Sequence, residues 1–127
     1  MVTTSSALRV LIVDAQPDAA RNLTLLLSQW GHDPKYATSS WQALEIVGHW
    51  RPEVVFLDAA LPVTNGYQLA KMIRGRFAAR EIKLFIAAER KTQAPPPHER
   101  FFDGLLLKPV AIQKVREALQ SCAGAGA

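Results

Sequence analysis

The feature that most constrains the fold is an alternation of short apolar runs with segments of helical spacing along the whole chain. Apolar runs occur at residues 10–13, 54–57 and 105–107. The run at 54–57 is apolar on both faces of a pleated strand, which is typical of a strand covered by helices on both sides. A repeat of strand then helix predicts a parallel sheet wrapped by crossover helices.

The same pattern predicts the individual elements. Strands are expected at residues 8–13, 33–37, 54–57, 82–87 and 105–107. Four of the helices should carry inward-facing stripes, which are Ala19, Leu23, Leu26, Leu27 and Trp30; Ala43, Leu44, Val47 and Trp50; Leu69, Met72, Ile73 and Phe77; and Ile112, Val115, Leu119 and Cys122. Lys71, Arg74 and Arg76 of the third helix should be mainly solvated. The helix after the fourth strand, within 92–102, should be shortened, because three consecutive prolines at 95–97 remove backbone donors.

Composition sets the broad class. The 127 residues are 49% hydrophobic and 20% charged, which fits one folded domain and excludes disordered and coiled-coil classes. We expect a tail at 1–6, a domain at 7–121 and a flexible tail at 122–127.

No apolar run approaches the roughly 18 residues of a membrane span, and the first residues lack the basic start of a secretory signal, so a cytoplasmic location is expected. The single cysteine, Cys122, excludes an intrachain disulfide and a multi-cysteine zinc site.

Three charged side chains stand where predicted strands end. Asp14 follows the first strand, Asp58 the third and Lys108 the fifth. Because the carboxyl ends of parallel strands meet at one edge of a sheet, we expect these residues to converge. A carboxylate kept ionised by a lysine can act as a nucleophile towards a phosphoryl donor. The lysine would then stabilise the transferred charge.

These motifs resemble the receiver domain of bacterial two-component response regulators. The resemblance covers residues 8–121 and rests on VLIVD at 10–14, VVFLD at 54–58, LP at 61–62, NGY at 65–67 and LLKP at 106–109. It implies an α/β, flavodoxin-like, doubly wound five-stranded parallel sheet in the order 2-1-3-4-5 with helices on both faces.

The resemblance also implies a function and a set of site residues. Asp58 matches the residue that accepts a phosphoryl group from a histidine kinase, and Lys108 matches the lysine that contacts that group, joined to Pro109 by a cis peptide bond. Asp14, Asp58 and the carbonyl of Ala60 match ligands of Mg²⁺. On this basis the chain is not an enzyme, apart from any self-phosphorylation and self-dephosphorylation at Asp58.

Three positions depart from the family pattern. Ala15 stands where a second acid would bind the metal, so Mg²⁺ binding is expected to be weak or absent. Ala87 stands where a hydroxyl would contact the phosphoryl group, and Leu105 where an aromatic ring would relay the switch. A second hypothesis is therefore a phosphorylation-independent interaction module that has kept the fold and lost the reaction.

Other features bear on partners. Basic residues across the third helix and fourth strand are interpreted as a solvated rim, with an acidic protein partner favoured over nucleic acid; they are Lys71, Arg74, Arg76, Arg80, Lys83, Arg90 and Lys91. Trp41 and Trp50, if exposed, would indicate a contact surface. Asn65 and Gly66 are interpreted as a helix entry, with Gly66 allowing close backbone approach. The partner is expected to be a histidine kinase or another signalling protein, and the oligomeric state is left open.

Overall fold

The computed structural model describes residues 7–78, 81–89 and 101–125. The strands are β1 (Arg9–Val13), β2 (Asp33–Ala37), β3 (Val54–Asp58), β4 (Lys83–Ala88) and β5 (Gly104–Leu107). The helices are α1 (Pro17–Gln29), α2 (Ser40–Trp50), α3 (Gly66–Arg74) and α4 (Ile112–Ala125). All strand pairs are parallel and the order is β2-β1-β3-β4-β5, which confirms the predicted sheet. No helix in these ranges is long and apolar enough to cross a membrane.

Two apolar cores lie on opposite faces of the sheet. One contains Val55 and Leu57 of β3 with residues of α2 and α3, and the other contains Val54 and Phe56 with residues of α1 and α4. Successive side chains of a strand point to opposite faces, so the continuous apolar run of β3 contributes side chains to both cores. This explains why helices cover both sides of the sheet, as predicted.

The buried face of α3 differs from the predicted one. Leu69 and Ile73 are fully buried as expected, but Ala70 is buried with them while Met72 is 46% exposed. Phe77 is buried although α3 ends before it, at Arg74. The prediction for Met72 was wrong because the helix presents a narrow face to the sheet, and Met72 lies outside it.

The last helix continues beyond the predicted end of the domain. We expected a flexible tail from residue 122, yet α4 runs to Ala125. Cys122 is half-buried and packs against the core formed with α1, as its place in the predicted stripe of this helix indicates. The predicted tail at 1–6 and the shortened helix around the three prolines fall largely outside the described residues.

The entry to α3 has the predicted chemistry. Asn65 Oδ1 accepts a hydrogen bond from the Gln68 backbone N–H (2.9 Å), and the Gln68 side chain accepts one from the Asn65 N–H (2.9 Å). This reciprocal capping box satisfies donors that the first helical turn leaves free. A Cβ on Gly66 would overlap the Asp58 carbonyl oxygen and lie 2.9 Å from the Cα of Ala59. Gly66 therefore lets α3 begin directly against the end of β3.

An acidic residue fixes the start of β5. Asp103 Oδ2 accepts hydrogen bonds from the Leu84 backbone N–H (2.8 Å) and from Arg74 (2.7 Å). Arg74 also donates to the carbonyl of Ile82 (2.7 Å), and its side chain is only 10% exposed. The expectation that Arg74 is solvated was wrong. Its partner Asp103 lies 29 residues further along the chain, so the local sequence pattern around Arg74 does not reveal the ion pair.

The close approach at Gly66 generates a stability prediction. Gly66→Ala should lower the free energy of unfolding by about 2 kcal/mol, because the new methyl group overlaps backbone that cannot move without shifting β3. Urea denaturation measures the change. Gly75→Ala is the matched control: its Cβ would lie 3.5 Å from the Met72 carbonyl oxygen, an ordinary contact. If the two variants are equally stable, the proposed steric constraint at Gly66 is absent.

Candidate functional site

The site is built at the carboxyl-terminal edge of the sheet, where three strands end. Asp14 directly follows β1, Asp58 is the last residue of β3, and Lys108 directly follows β5. β1 and β3 are neighbours, but β4 lies between β3 and β5. The Lys108 side chain must therefore cross the end of β4 to reach Asp58. The residue of β4 that pairs with Asp58 is Ala87, whose small side chain leaves room for this crossing.

Asp58 and Lys108 form a close ion pair. Lys108 Nζ lies 2.6 Å from Asp58 Oδ1, and the Asp58 side chain is 11% exposed. The same oxygen accepts a hydrogen bond from the Ala60 backbone N–H (3.0 Å). Charge-assisted hydrogen bonds of this kind are short and strong. They fix the orientation of the carboxylate through Oδ1, and the second oxygen of Asp58 takes part in neither bond.

Asp14 adds a second carboxylate to the site. Its Oδ1 accepts a hydrogen bond from the Gln16 backbone N–H (2.9 Å). Burial raises the pKa of Asp14 above its ordinary value, and the neighbouring charge of Asp58 raises it further. The Gln16 N–H and the Lys108 ammonium oppose this pKa shift without cancelling it. Two carboxylates thus share one ammonium, and the site carries an excess of negative charge.

The structure brings together the side chains predicted from strand ends. Asp14, Asp58 and Lys108 line one cleft, and the Lys108–Pro109 peptide bond is cis as expected. Ala60 lies two residues beyond Asp58 and is exposed. Among the described residues, no group of three or more acidic, histidine or cysteine side chains is placed to hold a metal ion.

Two parts of the site were not predicted. The cleft has a volume of about 590 Å³ and extends from the charged residues over Ala19 and Leu23 of α1 to Ile112 and Val115 of α4. Glu89 lines it as well, directly after the end of β4. The strand-end rule would have identified Glu89 if the fourth strand had been predicted to end at Ala88, as β4 does, and not at residue 87. The cleft itself depends on how α1 and α4 pack, which the spacing of apolar residues does not reveal.

The three residues that depart from the family pattern are non-polar side chains in the core or in the wall of the cleft. Ala15 and Leu105 are half-buried and pack against the core formed with α2 and α3. Ala87 lines the cleft beside Asp58. These side chains carry neither a carboxylate, a hydroxyl nor an aromatic ring, so none can supply the polar or aromatic contact expected at its position.

The predicted basic rim is only partly present. Arg74 is committed to Asp103, as described above, whereas Lys71 and Arg76 are exposed. Lys83 is half-buried, and the remaining members at 80, 90 and 91 lie outside the described residues. The residues that the structure describes therefore do not form a continuous basic surface.

The fold and this site define a signalling class. The family model of the response regulator receiver domain matches residues 10–120. The chain belongs to this family, and it is a receiver domain of the kind found in two-component response regulators. Receiver domains of this family interact with histidine kinases and other signalling proteins.

Individual relatives agree with this assignment. A solved CheY-like receiver domain from Methylobacillus flagellatus superimposes with a TM-score of 0.84, at 29% identity, covering 92% of this chain and 99% of that one. The DNA-binding response regulator MtrA of Mycolicibacterium smegmatis is 38% identical over 66 residues, which are 52% of this chain and 29% of that protein. Protein Rrf1 of Nitratidesulfovibrio vulgaris is 46% identical over 54 residues, 42% of this chain and 39% of that protein. The matched segments thus span well under half the length of these curated relatives.

The electrostatics of Asp14 generate a prediction. Its folded-state pKa is raised, so its unfavourable effect on stability is absent at low pH and grows as the pH rises through that pKa. Asp14→Asn keeps an oxygen for the Gln16 N–H and removes the charge. With a chelator present, we expect it to increase the free energy of unfolding at pH 7 by about 1 kcal/mol or less, since solvent screens part of the effect.

Denaturation at several pH values measures this gain. The gain should disappear at about pH 3, where aspartates are largely protonated. The control is Asp18→Asn, which removes an 86% exposed carboxylate on the first turn of α1 and should give no gain. A gain at pH 7 that persists unchanged at low pH would contradict the electrostatic explanation.

Proposed function

We propose that the chain accepts a phosphoryl group on Asp58, supplied by a histidine kinase, and passes a signal through the phosphorylated form. The observation that supports this most directly is the 2.6 Å ion pair between Lys108 and Asp58. It holds a cation beside the carboxylate, where the oxygens of an incoming phosphoryl group would carry negative charge.

The proposed transfer uses the carboxylate as a nucleophile. The Asp58 oxygen that is bonded to neither Lys108 nor Ala60 attacks phosphorus, a new P–O bond forms, and the P–N bond to the donor histidine breaks. The electron pair of that bond leaves with the imidazole ring. The Lys108 ammonium compensates the charge of the phosphoryl oxygens, so its role is electrostatic and needs no proton transfer.

A weak Mg²⁺ site fits the residues present. Asp14 and Asp58 are hard oxygen donors, the carbonyl of Ala60 is a third, and the excess negative charge of the site favours a cation. When bound, Mg²⁺ would reduce the repulsion between the carboxylates and an anionic phosphoryl donor. The position of Ala15 offers no third carboxylate, so we expect water to complete the coordination and the affinity to be low.

The missing groups affect turnover and signalling. Ala87 lacks a hydroxyl that could donate to the phosphoryl group, and Ala15 lacks a ligand that would strengthen metal binding. Both groups serve phosphorylation and hydrolysis in the family pattern, so we expect a slowly formed and slowly hydrolysed phosphorylated state. With Leu105 in place of an aromatic ring, the signal must leave the domain by a route other than ring rotation.

A second candidate function is recognition of a partner without phosphorylation. It is supported by the non-polar side chains of Ala15, Ala87 and Leu105, which remove three groups of the family machinery while leaving the fold intact. In this case the Lys108–Asp58 ion pair serves as a structural link between β3 and β5. The two functions differ in whether Asp58 ever carries a phosphoryl group.

Intact-protein mass spectrometry distinguishes them. Incubation with acetyl phosphate and Mg²⁺ should add about 80 Da, the mass of one phosphoryl group. Asp58→Asn should abolish the adduct. Lys108→Gln should slow its formation by about 100-fold, because one charge-stabilising donor is lost. Asp18→Asn, which removes an 86% exposed carboxylate on α1, is the matched control and should react normally.

Two results of the same experiment would contradict the proposed phosphorylation of Asp58. An adduct that survives Asp58→Asn would place the phosphoryl group elsewhere and reject Asp58 as the acceptor. Absence of any adduct, both with acetyl phosphate and with a phosphorylated histidine kinase as donor, would favour the phosphorylation-independent module.

A further inference from the structure

The loop between β3 and α3, residues 59–65, contains a turn that its sequence disfavours. The Thr64 N–H donates to the Pro62 carbonyl (2.8 Å), which closes a tight turn around Val63. Val63 has a φ of 67°, in the left-handed region that a β-branched residue rarely adopts. Its side chain is fully exposed, so burial does not offset the cost of this backbone conformation. The turn must therefore be held by contacts elsewhere in the loop.

Contacts on both sides of Val63 tie the 59–65 loop to the rest of the domain. Before Val63, Leu61 is buried in the core formed with α2 and α3. After it, the carbonyl of Thr64 accepts a hydrogen bond from Ser40 Oγ (2.6 Å). Ser40 is the first residue of α2 and is only 7% exposed, so this bond is largely shielded from water. A buried hydroxyl of α2 thus holds the loop that follows β3.

The same loop is hydrogen-bonded to the proposed acceptor carboxylate. The Ala60 N–H donates to Asp58 Oδ1 (3.0 Å), and the Ala60 carbonyl is a candidate ligand of Mg²⁺. The loop therefore contacts Asp58 through Ala60 and contacts α2 through Thr64, with Val63 between these two points. Because Val63 gains backbone energy by leaving positive φ, loss of either contact favours a different conformation of the loop.

We propose that the hydroxyl of Ser40 holds the 59–65 loop and thereby couples the Asp58 site to the start of α2. A phosphoryl group on Asp58 brings new acceptor oxygens beside the Ala60 N–H, and these compete for its hydrogen bond and shift the loop. The shift weakens the bond from Ser40 to Thr64 and alters the start of α2. The trigger for this change rests on the proposed phosphorylation of Asp58, whereas the hold of Ser40 on the loop does not.

This coupling gives the signal an exit that does not need an aromatic ring at Leu105. Trp41 directly follows Ser40 and is 76% exposed, as a contact surface requires, whereas Trp50 is half-buried. A change at Ser40 is therefore next to a side chain that a partner can reach. Coupling between two sites acts in both directions, so a change at Ser40 must also alter the surroundings of Asp58.

The direction from Ser40 to Asp58 is tested without any phosphorylation. Ser40→Ala leaves the Thr64 carbonyl without this donor, and amide hydrogen exchange at Ala60 and Thr64 should become about tenfold faster, as expected for loss of one buried hydrogen bond. The NMR resonance of the Ala60 amide should also move. Ser121→Ala is the matched control, because it removes a hydroxyl that donates to the backbone carbonyl of Ala118 (2.7 Å) on α4. It should leave both amides unchanged.

A second variant distinguishes positioning of the loop from simple stabilisation. Val63→Gly allows positive φ at little steric cost, so the loop should need Ser40 less. In a Val63→Gly background, Ser40→Ala should therefore accelerate exchange at Ala60 by a smaller factor than in the wild type. If Ser40 only satisfies its own hydroxyl, the Ala60 amide will not respond to Ser40→Ala, or the effects of the two changes will be additive. Either result would overturn the proposal.

The direction from Asp58 to α2 is tested with the phosphorylated protein. Acetyl phosphate and Mg²⁺ are added, mass spectrometry measures the adduct, and NMR records the amide of residue 40 and the indole N–H of Trp41. Both resonances should move as the phosphorylated fraction rises, and they should not move in Ser40→Ala at the same phosphorylated fraction.

Two outcomes would contradict this direction of the coupling. They are an adduct that leaves both resonances unchanged in the wild type, and an adduct that moves them equally in Ser40→Ala. Absence of any adduct would instead reject the proposed phosphorylation, and the exchange measurements on the unmodified protein would still decide whether Ser40 holds the loop.

Discussion

The site depends on one ion pair that spans three strands. Lys108 follows β5, Asp58 ends β3, and their 2.6 Å contact passes over the end of β4. Such a contact requires the three strands to end at the same level and the middle strand to carry a small residue there. The parallel register meets the first requirement by pairing Asp58 with Ala87 and Ala87 with Leu106. The alanine that removes a hydroxyl from the site also gives the lysine its path.

The same edge shows how backbone packing and charge are linked. Gly66 lets α3 begin against the carbonyl of Asp58, so β3 is followed by closely packed backbone at this point. The Asp58 side chain is then oriented by Ala60 and Lys108, both through Oδ1. What remains variable is the electrostatic balance, which Asp14 shifts towards negative charge. A carboxylate oriented in this way suits the proposed phosphoryl transfer, while the alanine at position 15 provides no carboxylate for a cation.

Much of this could be predicted from the sequence, for identifiable reasons. The carboxyl ends of the strands in a parallel sheet lie at one edge, so the sequence alone predicts that Asp14, Asp58 and Lys108 are close together. The helix entry at Asn65 and Gly66 follows from the local capping chemistry. Features that depend on distant residues could not. The burial of Arg74 requires Asp103, which lies 29 residues away in the sequence. Glu89 was missed because the fourth strand was predicted to end at residue 87, whereas β4 ends at Ala88, so the strand-end rule selected Ala88 instead.

Asp103 holds the first residues of β5 beside the first residues of β4. By accepting hydrogen bonds from Leu84 and Arg74, it sets where β5 starts beside β4. β5 is only four residues long, and Lys108 follows its last residue. The position of Asp103 at the start of β5 therefore determines where Lys108 lies at its end. The position of a residue at the carboxyl-terminal edge of the sheet thus depends on contacts at the opposite, amino-terminal edge. Loss of the hydrogen bonds to Asp103 would therefore act on Lys108 through β5, without any contact in the cleft.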